Sequence, residues 1–218
     1  TQQYKRFALR GSVDQQVGRY FRVGFTTNNN YNISEGSQVG IYGILSTTPI
    51  ANPYAAGTNG DSLKRTVKMP MDETFVLTNG VVKNLQKQWL NETRGFATYN
   101  AIYGEVKIPW VEGLKFRTNL GLDFIQNNNG NYTGVGINST TLTTPSTAGV
   151  SNSQNYHWAV ENLLTYDKTF AGKHTVNAVA MYSAEQNKYN NSSMSAKDIP
   201  IDAFQFYNLG SSTDPNSL

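Results

Sequence analysis

Cysteine is absent from the 218 residues, histidine occurs only as His157 and His174, and no apolar run approaches the roughly 20 residues that a membrane-spanning helix needs. Without thiols there is neither a disulfide scaffold nor a thiolate metal site, and two histidines do not build the usual zinc centres. Charge is also scarce, at 15% of residues against about 25% in ordinary soluble domains. The 18 basic and 15 acidic residues leave a net +3 with no basic cluster, which excludes nucleic acid as a partner. Neither a glycine-rich phosphate loop nor a nucleophile elbow is present. Asp61 with Asp72 and Glu73 offers the carboxylates that glycoside hydrolysis needs, but loop carboxylates are common. The chain is therefore read as a non-enzyme without a cofactor. Its first residues, TQQYKRFALRG, lack the apolar stretch of a signal peptide, so the reading is a mature start or a piece of something longer.

What the chain does contain is Asn, Gln, Ser, Thr, Gly and Tyr, with 12% aromatic residues. That palette suits β structure with wet loops or a water-filled interior, and it disfavours long helices. Strict alternation marks three hairpins. The first, about Tyr4 to Tyr31, sets Phe7, Leu9 and Val13 against Arg6, Arg10 and Ser12, then Phe21, Val23 and Phe25 against Arg22 and Thr26. The second, Gly95 to about Gln126, opposes Leu114, Phe116, Leu120, Leu122 and Phe124 to Lys115, Arg117, Asn119 and Asp123. In the third, Tyr156 to about Glu185, Trp158, Val160, Leu164 and Tyr166 share one parity, and His157, Glu161, Thr165 and Asp167 the other. His157 and His174 read as plain polar residues, one on the polar parity and one beside a turn.

Connections alternate in length. Short reversals fall at Gln15 to Gly18, Pro109 to Gly113 and Thr169 to Lys173, and the long segments are Asn32 to about Glu92 and Asn127 to Asn155. Within the first long segment, Val82, Leu85 and Trp89 have helical spacing and predict a short helix over Val81 to Leu90. After the third hairpin, Gln186 to Leu218 reads as polar and irregular, with a further strand starting near Ile199-Pro200-Ile201 or Phe204-Gln205-Phe206.

Amphipathic hairpins suit a soluble β-sandwich as well as a membrane barrel, and alternation does not separate them. Three features point to the barrel. Short and long connections alternate as they do between the two rims of an outer-membrane barrel. Aromatics gather at both ends of the apolar faces: Tyr20, Trp110, Tyr166 and Phe170 near short turns, and Phe124, Tyr156, Trp158 and Tyr182 near long loops. The polar parity carries Arg6, Arg10, Arg22, Lys115, Arg117, Asp123 and Glu161. An Arg facing lipid at mid-depth costs about 2–4 kcal/mol, so in a barrel these seven face the lumen. In a sandwich they would face bulk water.

At the third hairpin, ENLLTYDKTFAGKHTVNAVAMYSAE resembles a recurring barrel segment of the SusC/RagA family of TonB-dependent outer-membrane receptors. The matching residues are Glu161, Asn162, Leu163, Tyr166, Gly172, His174, Asn177, Ala178, Tyr182 and Ser183. Arg6, Arg10 and Asp14 resemble the family's strand pair of the form RxxxRxxxD, and Gly113 to Phe124 resembles its GLxxRxxxGxD strand. The resemblance covers roughly residues 3 to 212. It implies an all-β fold: about six antiparallel strands in three hairpins, one segment of a transmembrane β-barrel with long extracellular loops. The family's plug domain, TonB box and remaining strands are not visible in residues 1–218.

By resemblance, the whole protein imports glycans or peptides across the bacterial outer membrane. Energy would arrive through TonB, and a SusD-like surface lipoprotein would cap the mouth. Tyr42, Tyr54, Trp89 and Tyr132 in the long loops are candidates for substrate contact, since aromatic rings stack on sugars. The same residues serve equally as loop anchors. Sequons at Asn32, Asn91, Asn131, Asn138, Asn190 and Asn191 arise by chance in Asn-rich loops. A soluble carbohydrate-binding β-sandwich and a plug-less porin or adhesin barrel stand as alternatives.

Overall fold

The computed structural model describes residues 3–36, 66–69, 72–78, 88–137, 141 and 143–214. Six long strands form one antiparallel sheet: β1 (Gln3–Val17), β2 (Phe21–Glu35), β5 (Trp89–Lys107), β6 (Leu114–Thr133), β7 (Thr147–Phe170) and β8 (His174–Lys197), in the order β1-β2-β5-β6-β7-β8. Between β2 and β5, the short strands β3 (Thr66–Met69) and β4 (Asp72–Thr78) pair only with each other. The fold is all-β, as expected. No described strand packs face to face on the six-stranded sheet, which removes the geometric basis of the sandwich alternative. Among the described residues no helix is long and apolar enough to cross a membrane, which leaves strand crossings untouched.

Register follows from the turns. Gly18 takes φ 64° in the reversal between Val17 and Phe21. Gly113 takes φ 88° before β6, and Ala171 and Gly172 take φ 49° and 67° between Phe170 and His174. Positive φ is inexpensive at Gly18, Gly113 and Gly172, so these glycines fix where each hairpin reverses. With the reversals set, period two assigns every side chain to a face.

Several sequence expectations are corrected. The first strand runs on to Val17, so the turn lies at 18–20 rather than at Gln15 to Gly18. The second strand continues to Glu35, and β5 starts at Trp89, so Trp89 and Leu90 are strand rather than helix. Residues 81–87 of the expected helix lie outside the described residues, as does Asp61. The Asn-rich stretch expected to be a loop from 127 to 155 is mostly strand, with β6 reaching Thr133 and β7 starting at Thr147. Likewise β8 continues through the polar residues 186–197. In β6 and β7 backbone ladders to both neighbours, and in β8 the ladder to its one neighbour, outweigh weak strand propensity.

The expected strand after β8 is absent. Residues 198–214 instead form turns and a 3₁₀ turn (Leu209–Ser211) that fold back over the ends of β6, β7 and β8. Ile199, Phe206 and Leu209 close a hydrophobic core with Tyr132, Ala148 and Ala196, flanked by Leu90, Val150 and Phe204. Phe206 lies where a side chain on Gly130 would stand. Ser146 is fully buried beneath this collar, accepting from the Ile199 N–H at 2.7 Å and donating to the Ile199 carbonyl at 3.1 Å.

Candidate functional site: a charged sheet face backed by an apolar one

Pairing puts all seven charged candidates on one face. Arg22 lies opposite Glu105, Glu105 opposite Arg117, Lys115 opposite Thr165, Asp123 opposite His157, and Asn119 opposite Glu161. Arg6 and Arg10 share the parity of Gln16, which faces Arg22. The other parity carries Phe7, Val13, Phe25, Ile102, Phe116, Leu120, Leu122, Trp158, Val160 and Leu164. These are open to the surroundings, with Val13 63% and Leu164 43% exposed. A sheet buried in a soluble core would not leave such a face uncovered.

The charged face is cross-linked strand by strand. Arg22 donates to both Asp14 oxygens, at 2.9 and 3.0 Å, a two-pronged pair between β2 and β1. Tyr103 of β5 reaches over Gly24 and donates its hydroxyl to Asp14 Oδ2. The Arg117 guanidinium stacks on the Tyr103 ring at 4.0 Å, stands 3.8 Å from Glu105, and donates to Asn119 Oδ1 at 2.8 Å. Asn119 in turn donates to Glu161 at 3.3 Å, joining β6 to β7. His157 places Nδ1 3.2 Å from Asp123 Oδ2 and Nε2 3.9 Å from Glu185, linking β6, β7 and β8. Arg6 donates to Asn30 at 2.8 Å. Lys115 stands directly opposite Lys107, and neither forms an ion pair with a described residue. No described cluster of His, Asp and Glu is placed to hold a metal.

The structure places Trp89 at the first residue of β5, half-buried, on the parity of the charged face. Tyr132 is not a loop residue: it lies in β6 on the other face, fully buried under the collar, and donates to Asp202 at 2.6 Å. Burial therefore corrects its reading as a contact for substrate. Tyr42 and Tyr54 lie outside the described residues. Sequence reasoning missed Tyr103 and took His157 for a plain polar residue on the polar parity. Shared parity is visible in sequence, but the cross-strand partners that engage these two are not.

The apolar face has two polar islands, each satisfied internally. Thr27 donates to Asn100 at 2.8 Å, Asn29 to Thr27 at 2.9 Å and Asn100 to Thr98 at 2.9 Å. Thr118 donates to Asn162 at 2.9 Å. Polar groups paired this way lose most of the penalty of an apolar environment.

A long antiparallel sheet with one charged and one exposed apolar face is the wall of a β-barrel cut from its neighbours. No family model matches the sequence, and no characterised relative matches it. Solved structures do. The chain is similar to a chain of the RagAB peptide transporter, with a TM-score of 0.77 at 16% identity over 99% of this chain and 24% of that one. It is similar to the RagAB peptide importer in its closed-closed state (0.77, 15%, 99% and 24%) and in its open-open state (0.76, 16%, 99% and 23%). This chain thus has the fold of part of those chains and spans about a quarter of their length. The matched structures are of a peptide transporter and a peptide importer.

Proposed function

We propose that this chain is a wall segment of an outer-membrane β-barrel that imports nutrient, in the manner of SusC-like receptors. The observation that carries the reading is the slant of the apolar band. On the row of directly paired residues Phe7–Tyr31–Phe96–Gln126–Gln154–Asn190, the first three are aromatic and the last three are amides. Going down the sheet from there, the first row that is apolar from β1 to β8 is Val13–Phe25–Ile102–Leu120–Val160–Ala184, and Val17–Phe21–Val106–Phe116–Leu164–Ala180 is apolar throughout as well. Phe7 to Val13 is about 20 Å of strand, and β1 to β8 spans about 24 Å at ~4.8 Å per strand. The upper border of the band therefore slants about 40° to the paired rows, within the 35–45° tilt of membrane barrels. A band level with the bilayer in a tilted barrel has this slant; a sandwich core has no reason for it.

Its height agrees. Leu114 to Phe124 is about 33 Å along the strand, or about 25 Å vertically at that tilt, the thickness of the apolar belt on outer-membrane barrels. The upper border is aromatic at Phe7, Tyr31, Phe96, Phe124 and Tyr156, with ring centroids 6.3 Å apart for Phe96–Phe124 and 4.7 Å for Phe124–Tyr156.

On this reading the charged face lines the lumen, and Arg6, Arg10, Arg22, Lys115, Arg117, Asp123 and Glu161 hydrate the transport path. The similar structures are of a peptide transporter and importer, which favours peptide over glycan as cargo. A SusD-like lipoprotein at the long-loop end and TonB, engaged through parts outside this chain, complete the proposed machine. Spin labels placed singly from 114 to 124 in the intact protein test the wall. Even positions should be accessible to oxygen and odd ones to an aqueous relaxant, and uniform aqueous access would refute it. A strain lacking the gene should lose uptake of oligopeptides, and unchanged uptake of both peptides and glycans would remove the transport role.

A further inference from the structure

Above the aromatic border, the outward face changes chemistry before the collar begins. On β6 and β7 the next outward residues are Gln126, Asn128, Gln154 and Asn152, and on β8 they are Gln186, Lys188, Asn190 and Ser192. On β1 and β5 the residues just above Phe7 and Phe96 are Lys5 and Arg94. The belt is rich in amide donors, and the cations are the exposed charges. Lys5 and Lys188 are exposed and form no ion pair with a described residue. Arg94 is held by Glu92 at 2.7 Å, with the guanidinium side chain 48% exposed and the carboxylate side chain only 9%. That pair shows its positive end outward. Two outward carboxylates stand near this level among the described residues, Glu35 and Glu92, paired with each other one row above Lys5, and Glu92 is the one that holds Arg94.

The belt has a floor and a roof. Its floor is the aromatic border, and its roof is the collar, where Phe206 covers Gly130. From Phe124 to Gly130 is about 20 Å of strand, or about 15 Å vertically at the barrel tilt. An ordinary phospholipid headgroup layer fills only about 5–8 Å on each side of a bilayer. The belt is roughly twice as tall.

Resting on the barrel reading above, we infer that this belt is a binding surface for a phosphorylated glycolipid of the outer leaflet. Lys5, Arg94 and Lys188 would meet phosphate, and the Asn and Gln amides would meet sugar hydroxyls. Cations and amides are the donors that such a headgroup calls for. The acyl chains would lie against Phe124, Tyr156 and Trp158 immediately below. The collar would sit on top of the headgroups rather than among the lipid tails.

The test uses the intact protein in nanodiscs, with retained lipid counted by native mass spectrometry. Three lipids are compared: bisphosphorylated lipid A, the same lipid dephosphorylated, and phosphatidylglycerol. Bisphosphorylated lipid A should be retained at least five-fold over both others, and the Lys5→Gln/Lys188→Gln double variant should lose most of that excess. Lys107→Gln, on the opposite face, should keep it. Equal retention of the dephosphorylated lipid, equal retention of phosphatidylglycerol, or an unchanged double variant would each overturn the inference. Failure of the protein to enter the discs at all would overturn the barrel reading instead.

Discussion

Tyr103 lies across Gly24 and donates its hydroxyl to Asp14, so one side chain of β5 reaches over β2 to hold β1. Asp14, Gly24 and Tyr103 are successive members of one paired row. The missing side chain at Gly24 is what opens the path. Asp14 also takes both prongs of Arg22, and Arg117 stacks on the far side of the arrangement. The carboxylate is thus the point where β1, β2, β5 and β6 are tied together on the charged face.

Gly24→Ala should break this tie without touching any charged residue. A Cβ there falls inside the Tyr103 ring, so the ring must swing off Asp14 and away from Arg117. The variant should lose several degrees of thermal stability, read as the temperature at which the folded band disappears on a semi-native gel. Tyr103→Phe keeps the ring over Gly24 and loses only the hydroxyl, so it should lose less. A Tyr103→Phe variant less stable than Gly24→Ala would contradict the assignment.

Gly113 and Gly18 separate backbone strain from crowding. Both have positive φ, at 88° and 64°. Around Gly18 nothing stands within 4 Å of an added Cβ, whereas at Gly113 it would run into the Asp167 carbonyl. Gly18→Ala should therefore show only the strain of a left-handed residue, about 1–2 kcal/mol. Gly113→Ala adds a clash and should weaken the 3.0 Å bond from the Asp167 N–H to the Gly113 carbonyl, destabilising by about 1–3 kcal/mol more. Urea unfolding in detergent measures the order, and equal losses would refute the crowding.

How far the sequence reveals this arrangement depends on the range of the interactions. Alternation such as Leu120/Asn119 or Val160/Glu161 is local, and it assigns faces correctly for all three hairpins. The seven charged candidates fall on one face for that reason. Strand ends are less legible, since Asn127 to Asn129 and Asn187 to Ser193 have poor strand propensity and are held by partners distant in sequence. The Tyr103 reach across Gly24 and the seat of His157 between Asp123 and Glu185 depend on register, which only pairing supplies. The collar was least visible: Ile199 and Phe206 advertise apolar character, but not that they fold back onto Tyr132 and Ala148.

Ser146 is the hinge of that collar. Its hydroxyl accepts from the Ile199 N–H and donates to the Ile199 carbonyl, in a fully buried site. Ser146→Ala strands both backbone groups, at about 1–3 kcal/mol for each unsatisfied partner. The loss should be local: hydrogen exchange should accelerate across residues 198–212, with the strands below unchanged. Phe206→Ala, which vacates the space over Gly130, should give the same exchange pattern with a larger effect, about 3–5 kcal/mol. Exchange that rises equally through β7 and β8 would show that the collar is not a separate cap.

The sharpest test of the faces compares neighbours in β6. Leu120 lies on the row that is apolar from Val13 to Ala184, between Ile102 and Val160. Asn119, one residue away, points to the other face, where it donates to Glu161 and accepts from Arg117. On the proposed barrel reading, Leu120→Arg would set a guanidinium against lipid, at about 2–4 kcal/mol near mid-depth. Asn119→Arg sacrifices two hydrogen bonds but leaves the new charge beside Glu161, on the face that the same reading gives to a hydrated lumen, where solvent screens it from Arg117. Membrane assembly of the intact protein, followed by heat-modifiable gel mobility after outer-membrane fractionation, should fall sharply for Leu120→Arg and stay near wild type for Asn119→Arg. Equal assembly would mean that both faces of β6 meet water, and the slanted apolar band would then have no lipid to match.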